Sequence, residues 1–140
     1  MKTKQPITVE STINAPAENV WKLWTSPEHI KKWNSPSDDW HTPRTESDLR
    51  PGGKFLSRME AKDGGQGFDF EGTYDVVEEP KHLSYTMSDG RKVKVGFSTN
   101  GNQTKVTETF DTEEIHSLEM QQAGWQSILD NFKKYAESGA

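Results

Sequence analysis

The sequence predicts an α+β fold in which seven strands form one curved antiparallel sheet around a long C-terminal helix. Three observations support this. The chain has 140 residues, which suits a single domain over residues 1–140. Most segments up to residue 111 alternate apolar and polar side chains with the period of a strand. After residue 117 the apolar side chains recur every three or four residues, as on a helix. The predicted element order is β-α-α-β-β-β-β-β-β-α.

The first quarter of the chain predicts one strand and two short helices. Residues 7–13 alternate with period two and indicate a half-buried strand. Pro16 favours the first turn of a helix, which we expect over residues 17–25. Ser26 is a plausible cap for a second helix that ends near Trp33.

The middle of the chain predicts six more strands, separated by turns rich in glycine, proline, asparagine and aspartate. These strands span residues 40–49, 53–61, 67–77, 81–87, 91–98 and 103–111. Within the third of them, alternation places Phe68, Phe70, Tyr74 and Val76 on one face.

The C-terminal segment predicts the helix that covers the sheet. Its apolar stripe consists of Leu118, Trp125, Ile128, Leu129, Phe132 and Tyr135. Thr112 is a candidate helix cap, because acidic residues follow it as the helix dipole prefers. Since a curved sheet holds its middle away from one covering helix, we expect a cavity between them.

Composition narrows the possible functions. The net charge of −5 and the pI of about 5.4 argue against a nucleic-acid partner. The absence of cysteine excludes disulfides and thiolate chemistry, and it fits a cytoplasmic location. No apolar run is long enough for membrane insertion, and the polar N-terminus is not expected to be a signal peptide. No motif for a metal or another cofactor is present, so we expect none.

Glu108 is the most informative polar residue. Alternation places it on the same inward face as Val106 and Phe110, where a carboxylate loses its hydration. It could orient a ligand or act as an acid or base. Alternatively, an arginine or lysine could pair with it, which is the more common arrangement.

The other candidate binding residues are mostly aromatic. The predicted ligand-binding set is Trp24, Trp33, Trp40, Phe70, Tyr74, Tyr85, Phe97, Glu108, Trp125 and Leu129, with no catalytic residue assigned. Core packing is the competing explanation for the tryptophans. Arg44 and Arg58 could anchor a polar ligand group, although surface pairing explains them equally well. The cluster at residues 38–41 is better explained as a solvated loop than as a metal site.

Six segments together resemble the START-like (SRPBCC) superfamily, and within it the family of homologues of the activator of the heat-shock protein 90 ATPase. They are NAPAENVW (residues 14–21), TSPEHIKKW (25–33), DLRPGGKF (48–55), FEGTYDVVEEP (70–80), TETFD (107–111) and GWQSILDNF (124–132). The resemblance covers nearly the whole chain and implies the helix-grip fold with an internal cavity. It implies no single chemistry, because the superfamily includes lipid carriers, polyketide cyclases and steroid binders.

The first functional hypothesis is therefore the binding of a small hydrophobic or aromatic molecule, lipid-like or polyketide-like, in the cavity between the sheet and the C-terminal helix. A chaperone-related protein partner, which the family name implies, ranks second. A cavity enzyme of the cyclase or aromatase type ranks third, so the chain is more readily explained as a binding protein than as an enzyme. The sequence leaves a monomer and a homodimer equally open.

Overall fold

The computed structural model describes residues 6–35 and 37–138. The N-terminal segment 1–5, which we expect not to be a signal peptide, lies outside these residues. The elements are β1 (Ile7–Ile13), α1 (Ala17–Thr25), α2 (Pro27–Trp33), β2 (Trp40–Ser47), β3 (Lys54–Ala61), β4 (Gly67–Glu78), β5 (His82–Met87), β6 (Lys92–Asn100), β7 (Gln103–Phe110) and α3 (Leu118–Glu137). This order confirms the prediction, and the strand ends differ from it by at most two residues.

The seven strands form one antiparallel sheet in the order β1-β7-β6-β5-β4-β3-β2. Strands β2 to β7 follow one another as a meander, and β1 closes the far edge by pairing with β7. The helices α1 and α2 connect β1 and β2, which are the two edges of the sheet. The sheet curls into a half-barrel, and α3 packs against its inner side near β1.

One end of the interior is filled by aromatic side chains. Trp24 of α1, Trp33 of α2 and Phe132 of α3 meet with ring centroids 4.8–4.9 Å apart. The indole nitrogen of Trp33 donates a hydrogen bond to the Leu23 carbonyl at 2.9 Å. The side-chain amide of Asn131 donates to the Trp33 carbonyl, also at 2.9 Å. These ring contacts and hydrogen bonds fix the two short helices against α3. The hydrogen bonds also satisfy polar groups that the packing buries.

A β-bulge changes the predicted face of Val76. Tyr74 pairs with Tyr85 and Val76 pairs with Ser84, so Asp75 is the extra residue in β4. The bulge shifts the alternation by one residue, and Val76 is therefore exposed instead of sharing the inner face with Tyr74. Val77 takes its place and packs against the core.

The C-terminal helix begins later than its predicted cap. Ser117, and not Thr112, is the residue before the helix, and its hydroxyl accepts a hydrogen bond from the Met120 backbone N–H at 3.1 Å. Thr112 is instead buried two residues after the end of β7. Residues 112–117 form the loop that connects β7 to α3. Among the described residues, no helix has the length and apolar character needed to cross a membrane.

Candidate functional site

A cavity of about 600 Å³ lies between the inner face of the sheet and helix α3. The sheet contributes Trp40, Phe55, Ser57, Met59, Phe68, Phe70, Tyr74, Leu83, Tyr85, Met87 and Glu108 to its surface. The helices contribute Trp24, Ile30, Trp33, Met120, Gln121, Gly124, Trp125 and Ile128. The cavity surface is therefore largely apolar and aromatic, with few polar groups, as is usual for sites that bind small molecules.

Phe55 occupies the middle of the sheet wall. Its ring centroid lies 4.8 Å from that of Tyr85 and 5.1 Å from that of Tyr74. Gly72 on the neighbouring strand β4 makes this position possible. A Cβ atom at Gly72 would lie 2.9 Å from the Phe55 ring and 2.5 Å from the Thr86 carbonyl oxygen, which is closer than real Cβ atoms approach. The glycine therefore sets where the Phe55 ring lies in the cavity wall.

Trp125 and Gly124 form the facing part of α3. The Trp125 ring stacks on Phe110 with centroids 4.0 Å apart and planes inclined by 8°. This contact holds the indole against the sheet, because large aromatic surfaces gain most from such burial. Gly124 next to it leaves open space, since a Cβ atom there would meet nothing within 4 Å. The width of the cavity on the helix side thus depends on a residue without a side chain.

Glu108 is a buried carboxyl group in this apolar surface. Only 6% of the residue is exposed, and no ion pair or hydrogen bond joins its side chain to another residue of the described ranges 6–35 and 37–138. Loss of hydration raises the pKa of Glu108 to about 8. The group is therefore mostly a neutral carboxylic acid at pH 7. The expectation that an arginine or lysine could pair with it is wrong for the described part of the chain.

Tyr85 carries the second free polar group of the sheet wall. Burial, and secondarily the charge of Glu108, place the pKa of the Tyr85 phenol well above its ordinary value. No described residue forms a hydrogen bond with the Tyr85 hydroxyl. Tyr74 differs in this respect, because its hydroxyl lies 2.8 Å from the Ser47 hydroxyl. Of the two tyrosines, only Tyr85 thus keeps its polar end free.

Charged side chains border the apolar surface. They are Asp69, Glu71, Asp89, Arg91, Glu113 and His116. The Arg91 Nε atom donates to Asp89 at 2.8 Å, and the His116 Nδ1 atom lies 2.7 Å from a Glu113 carboxyl oxygen. Acidic groups outnumber the basic ones in this border, and each basic group already has an acidic partner.

The loop 112–117 is held at the border by Gln121. This buried side chain accepts a hydrogen bond from the Glu113 backbone N–H at 2.9 Å. Its amide nitrogen donates to the backbone carbonyls of Glu113 and His116 at 3.0 and 2.8 Å. Three bonds from one side chain satisfy backbone groups that a loop would otherwise leave to water. Gln121 therefore determines where the loop meets the cavity.

The loop and the first turn of α3 also expose apolar side chains. Ile115 is 87% exposed, Met120 is 62% exposed and Leu118 is 46% exposed. Met120 lines the cavity. The exposed apolar group at residues 115–120 therefore borders the cavity and is not an isolated surface feature.

Eight of the ten predicted binding residues line the cavity: Trp24, Trp33, Trp40, Phe70, Tyr74, Tyr85, Glu108 and Trp125. Phe97 and Leu129 lie elsewhere in the core. Phe97 packs against Trp21 and Trp24, and Leu129 is completely buried. The role of the eight in binding stays a prediction.

The remaining candidates lie on the outside. Arg44 pairs with Glu46, and Arg58 pairs with Glu60 and Asp69, so the surface explanation holds for both arginines. In the cluster 38–41, the two aspartates are exposed, whereas Trp40 begins strand β2 and lies 6.0 Å from the Phe68 ring. The described residues contain no group of three or more histidine, aspartate or glutamate side chains placed to hold a metal ion.

Several cavity residues were not predicted, although the sequence carries a signal for them. Phe55, Ser57 and Met59 alternate along β3 and share the inner face. Gln121, Gly124 and Ile128 follow the helical spacing of α3. Ile128 belongs to the predicted apolar stripe, whereas Gln121, which is polar, and Gly124, which has no side chain, do not contribute to such a pattern.

The sequence and the fold both have relatives. A family model described as "Activator of Hsp90 ATPase homolog 1-like protein" matches residues 14–137. No curated protein matches the chain.

The solved structures include an AHSA1-like protein from Aeromonas hydrophila, determined by NMR in solution, with 49% sequence identity and a TM-score of 0.91. The similarity covers 96% of this chain and 94% of that one. A protein from Cytophaga hutchinsonii is 48% identical with a TM-score of 0.82, over 95% and 92% of the two chains. A crystal structure of a Nitrosomonas europaea protein, at 20% identity, has a TM-score of 0.79 over 96% and 95%, and it shares the fold.

Proposed function

This chain belongs to the family of activator of Hsp90 ATPase homolog 1-like proteins, and we propose that it binds one small, neutral and largely apolar molecule in the cavity between the sheet and α3. The observation that supports this proposal is the cavity itself. Its volume of about 600 Å³ lies within the range of about 300–1,000 Å³ that is usual for small-molecule sites. Aromatic side chains form most of its surface, so burial of an apolar ligand would be favourable.

The charges around the cavity favour a neutral ligand over an anion. Asp69, Glu71, Asp89 and Glu113 border the cavity, whereas Arg91 and His116 already contact acidic partners. An anion would approach this border against a net repulsion, with no free cation to receive it among the described cavity residues. A cation would find no carboxylate inside, because Glu108 is mostly uncharged at pH 7.

A cavity-filling substitution tests the proposal with a fluorescent probe. N-phenyl-1-naphthylamine is neutral and apolar, and its emission rises when it leaves water. We expect it to bind the wild-type protein and to bind Gly124→Leu at least about tenfold more weakly, because the leucine enters space that is open beside Gly124. The substitution also raises the helix propensity of α3 by about 1 kcal/mol, so weaker binding would not reflect unfolding.

Ala123→Leu is the matched control. Ala123 is the neighbouring residue of the same helix, and it is exposed outside the cavity. We expect this variant to bind the probe like the wild type. If both leucine variants bind the probe as the wild type does, the probe binds elsewhere and the proposal is wrong.

The natural ligand can be sought by native mass spectrometry of protein purified from its own host. A non-protein mass in a one-to-one ratio, absent from Gly124→Leu prepared in parallel, would support the proposal and provide the molecule for identification. Adducts that persist in equal amounts on the variant would point to binding outside the cavity.

A protein partner, for which the family name suggests a chaperone, is the second candidate. The observation in its favour is the exposed apolar group of Ile115, Leu118 and Met120, because exposed apolar side chains grouped on one surface are typical of interaction sites. Replacing Ile115 and Leu118 by serine should abolish co-purification of such a partner and leave binding of N-phenyl-1-naphthylamine unchanged. Co-purification that survives both substitutions would exclude this surface.

A further inference from the structure

We propose that Tyr85 and Glu108 form a subsite for the carbonyl oxygen of a neutral ligand, to which each donates one hydrogen bond. The inference rests on the proposed function, since it assigns the polar atom of the molecule that the cavity would hold. The corresponding ligand class is a ketone, aldehyde or ester carried on an aromatic or alicyclic body.

The sheet brings the two groups to one surface. Glu108 pairs with Val95 of β6, which pairs with Leu83 of β5, so these three side chains share the inner face. Tyr85 follows Leu83 by two residues and therefore points to the same face. Both Tyr85 and Glu108 line the cavity, and Glu108 in its ionised form raises the pKa of the Tyr85 phenol further.

Both polar ends are free and can be reached from the cavity. Neither side chain has a hydrogen-bond partner among the described residues, although each residue is more than nine-tenths buried. In the same part of the chain, no fully enclosed side-chain nitrogen or oxygen lacks a partner. The free oxygens of Tyr85 and Glu108 are therefore not sealed within the protein. Since unpartnered polar groups in apolar surroundings are unfavourable, a ligand that satisfies both would gain affinity.

Protonation decides which ligand group fits. Burial keeps the Tyr85 phenol and, at pH 7, most of the Glu108 carboxyl in their neutral, hydrogen-bearing forms. Two hydrogen-bond donors in one apolar wall match a ligand atom that accepts hydrogen bonds. A carbonyl oxygen can accept both bonds, because it has two lone pairs. A tyrosine beside a protonated carboxylic acid is an arrangement that can hold the oxygen of a carbonyl compound.

Tyr85 is the ionisable group that interacts with Glu108, and burial keeps the pKa of its phenol well above the ordinary value. The neighbours of Glu108 on the adjacent strands are Val9 of β1 and Val95 of β6, and the cavity face of α3 presents Trp125 and Ile128. The ionisable groups elsewhere on the cavity are Tyr74 and the border residues Asp69, Glu71, Asp89, Arg91, Glu113 and His116. All of these groups remain in a Glu108 variant. A difference in pH dependence between the wild type and such a variant therefore reports the titration of the Glu108 carboxyl.

Two probes of the same shape separate hydrogen bonding from burial. 2-Acetylnaphthalene has a carbonyl oxygen that only accepts hydrogen bonds, and 2-isopropylnaphthalene has a methyl group in its place. Each is used to displace N-phenyl-1-naphthylamine from the whole protein at pH 6.5. The ratio of the two dissociation constants, hydrocarbon over ketone, measures the preference for the carbonyl oxygen.

The expected changes in this preference are specific to each group. Tyr85→Phe should lower it about three- to tenfold, the usual range for one lost neutral hydrogen bond. Glu108→Met should lower it by a similar factor. Glu108→Gln should retain it, because the amide still donates. In the wild type the preference should fall about three- to tenfold between pH 6.5 and pH 9.5, as Glu108 becomes a carboxylate that cannot donate, and it should stay constant in Glu108→Gln.

The outcomes distinguish the inference from the function on which it rests. If both probes displace the fluorophore and the preference is unchanged in Tyr85→Phe, in Glu108→Met and across the pH range, the carbonyl subsite is wrong and the apolar cavity remains the binding site. If neither the fluorophore nor the two probes bind to the wild type, the proposed function itself is wrong.

Discussion

Both ends of the interior are rich in aromatic side chains, but one end is tightly packed and the other contains a cavity. At one end, Trp24, Trp33 and Phe132 pack ring against ring between the short helices and α3, and Trp24 and Trp33 also form the adjoining edge of the cavity. At the other end, Phe55 and Trp125 line an open cavity together with other aromatic side chains. Aromatic composition alone therefore does not separate a core from a binding site.

The difference arises from what covers each end. At the packed end, α1 and α2 fill the space, and hydrogen bonds join α2 to α3, including one of 2.6 Å between His29 and Tyr135. At the open end, the loop 112–117 borders the cavity, and the side chain of Gln121 forms three hydrogen bonds to its backbone. A curved sheet closes where an additional element can reach it and stays open elsewhere.

The largest effect should follow from truncating the packed end. Phe132→Ala should lower the free energy of unfolding by about 3–5 kcal/mol, because the side chain is fully buried and its removal leaves a void. Phe70→Ala is the matched change at the open end, and it should cost only about 1–2 kcal/mol, since Phe70 is half-buried beside space that is already empty. Urea denaturation at pH 7 measures both, and equal losses would mean that the cavity end is packed as tightly as the core.

Glu108 should make stability depend on pH. The pKa of this group is about 8 in the folded protein and 4.5 ordinarily. Between these values the unfolded chain releases a proton that the folded protein keeps, so the free energy of unfolding falls as the pH rises, by about 1.4 kcal/mol per pH unit. From pH 5 to pH 7 this amounts to about 3 kcal/mol. The contribution is constant below 4.5 and its loss is complete above about 8.

Glu108→Gln is the control for this pH dependence, because it keeps the shape and cannot titrate. Urea denaturation from pH 5 to pH 9 measures the free energy of unfolding of both proteins. Relative to the wild type, the variant should become more stable as the pH rises from 5 to 8. Above pH 8 the difference between the two proteins should stay constant. If the difference between the two proteins does not change between pH 5 and pH 8, Glu108 is ionised in the folded state.

Gly72 should be the next most sensitive position. Gly72→Ala should lower the free energy of unfolding by about 2 kcal/mol, because the new methyl group meets both the Thr86 carbonyl and the Phe55 ring. Gly96→Ala on strand β6 is the matched control, since a Cβ atom there meets nothing within 4 Å, and it should be neutral or slightly stabilising. If both variants lose a similar free energy of unfolding, the effect is common to glycines in strands and does not depend on the contacts of Gly72 in the cavity wall.

The smallest effect concerns the start of α3. Ser117→Ala removes the hydroxyl that accepts from the Met120 backbone N–H, and it should lower the free energy of unfolding by about 1 kcal/mol. Thermal unfolding followed by circular dichroism measures it, with the exposed residue Ser98 replaced by alanine as the reference. An equal effect at both positions would show that the cap contributes nothing specific.

The sequence was sufficient for the sheet, the helices and most of the cavity wall, because strand and helix periods are local properties of the chain. The sequence was not sufficient where a single residue changes the alternation of a strand or the volume of the interior. The bulge at Asp75 reverses the face of Val76, and alternation alone contains no sign of it. The buried position of Phe97 against Trp21 and Trp24 depends on how the helices cross the sheet, which is set by long-range packing.

The charge state of Glu108 shows the same limit. Alternation placed its side chain inside correctly, but whether an arginine or lysine lies opposite depends on strand register across the whole sheet. The register puts Val9 and Val95 beside it, and this makes the carboxyl an uncharged group instead of half of an ion pair.

The most direct test of this comparison is a crystal structure of the protein grown with N-phenyl-1-naphthylamine. We expect one molecule of the probe between the Trp125 indole and the sheet wall around Phe55, with the Trp24, Trp33 and Phe132 cluster unchanged. A structure in which the probe lies only on the outer surface, while Phe55 and Trp125 close the interior, would contradict the existence of an open binding end.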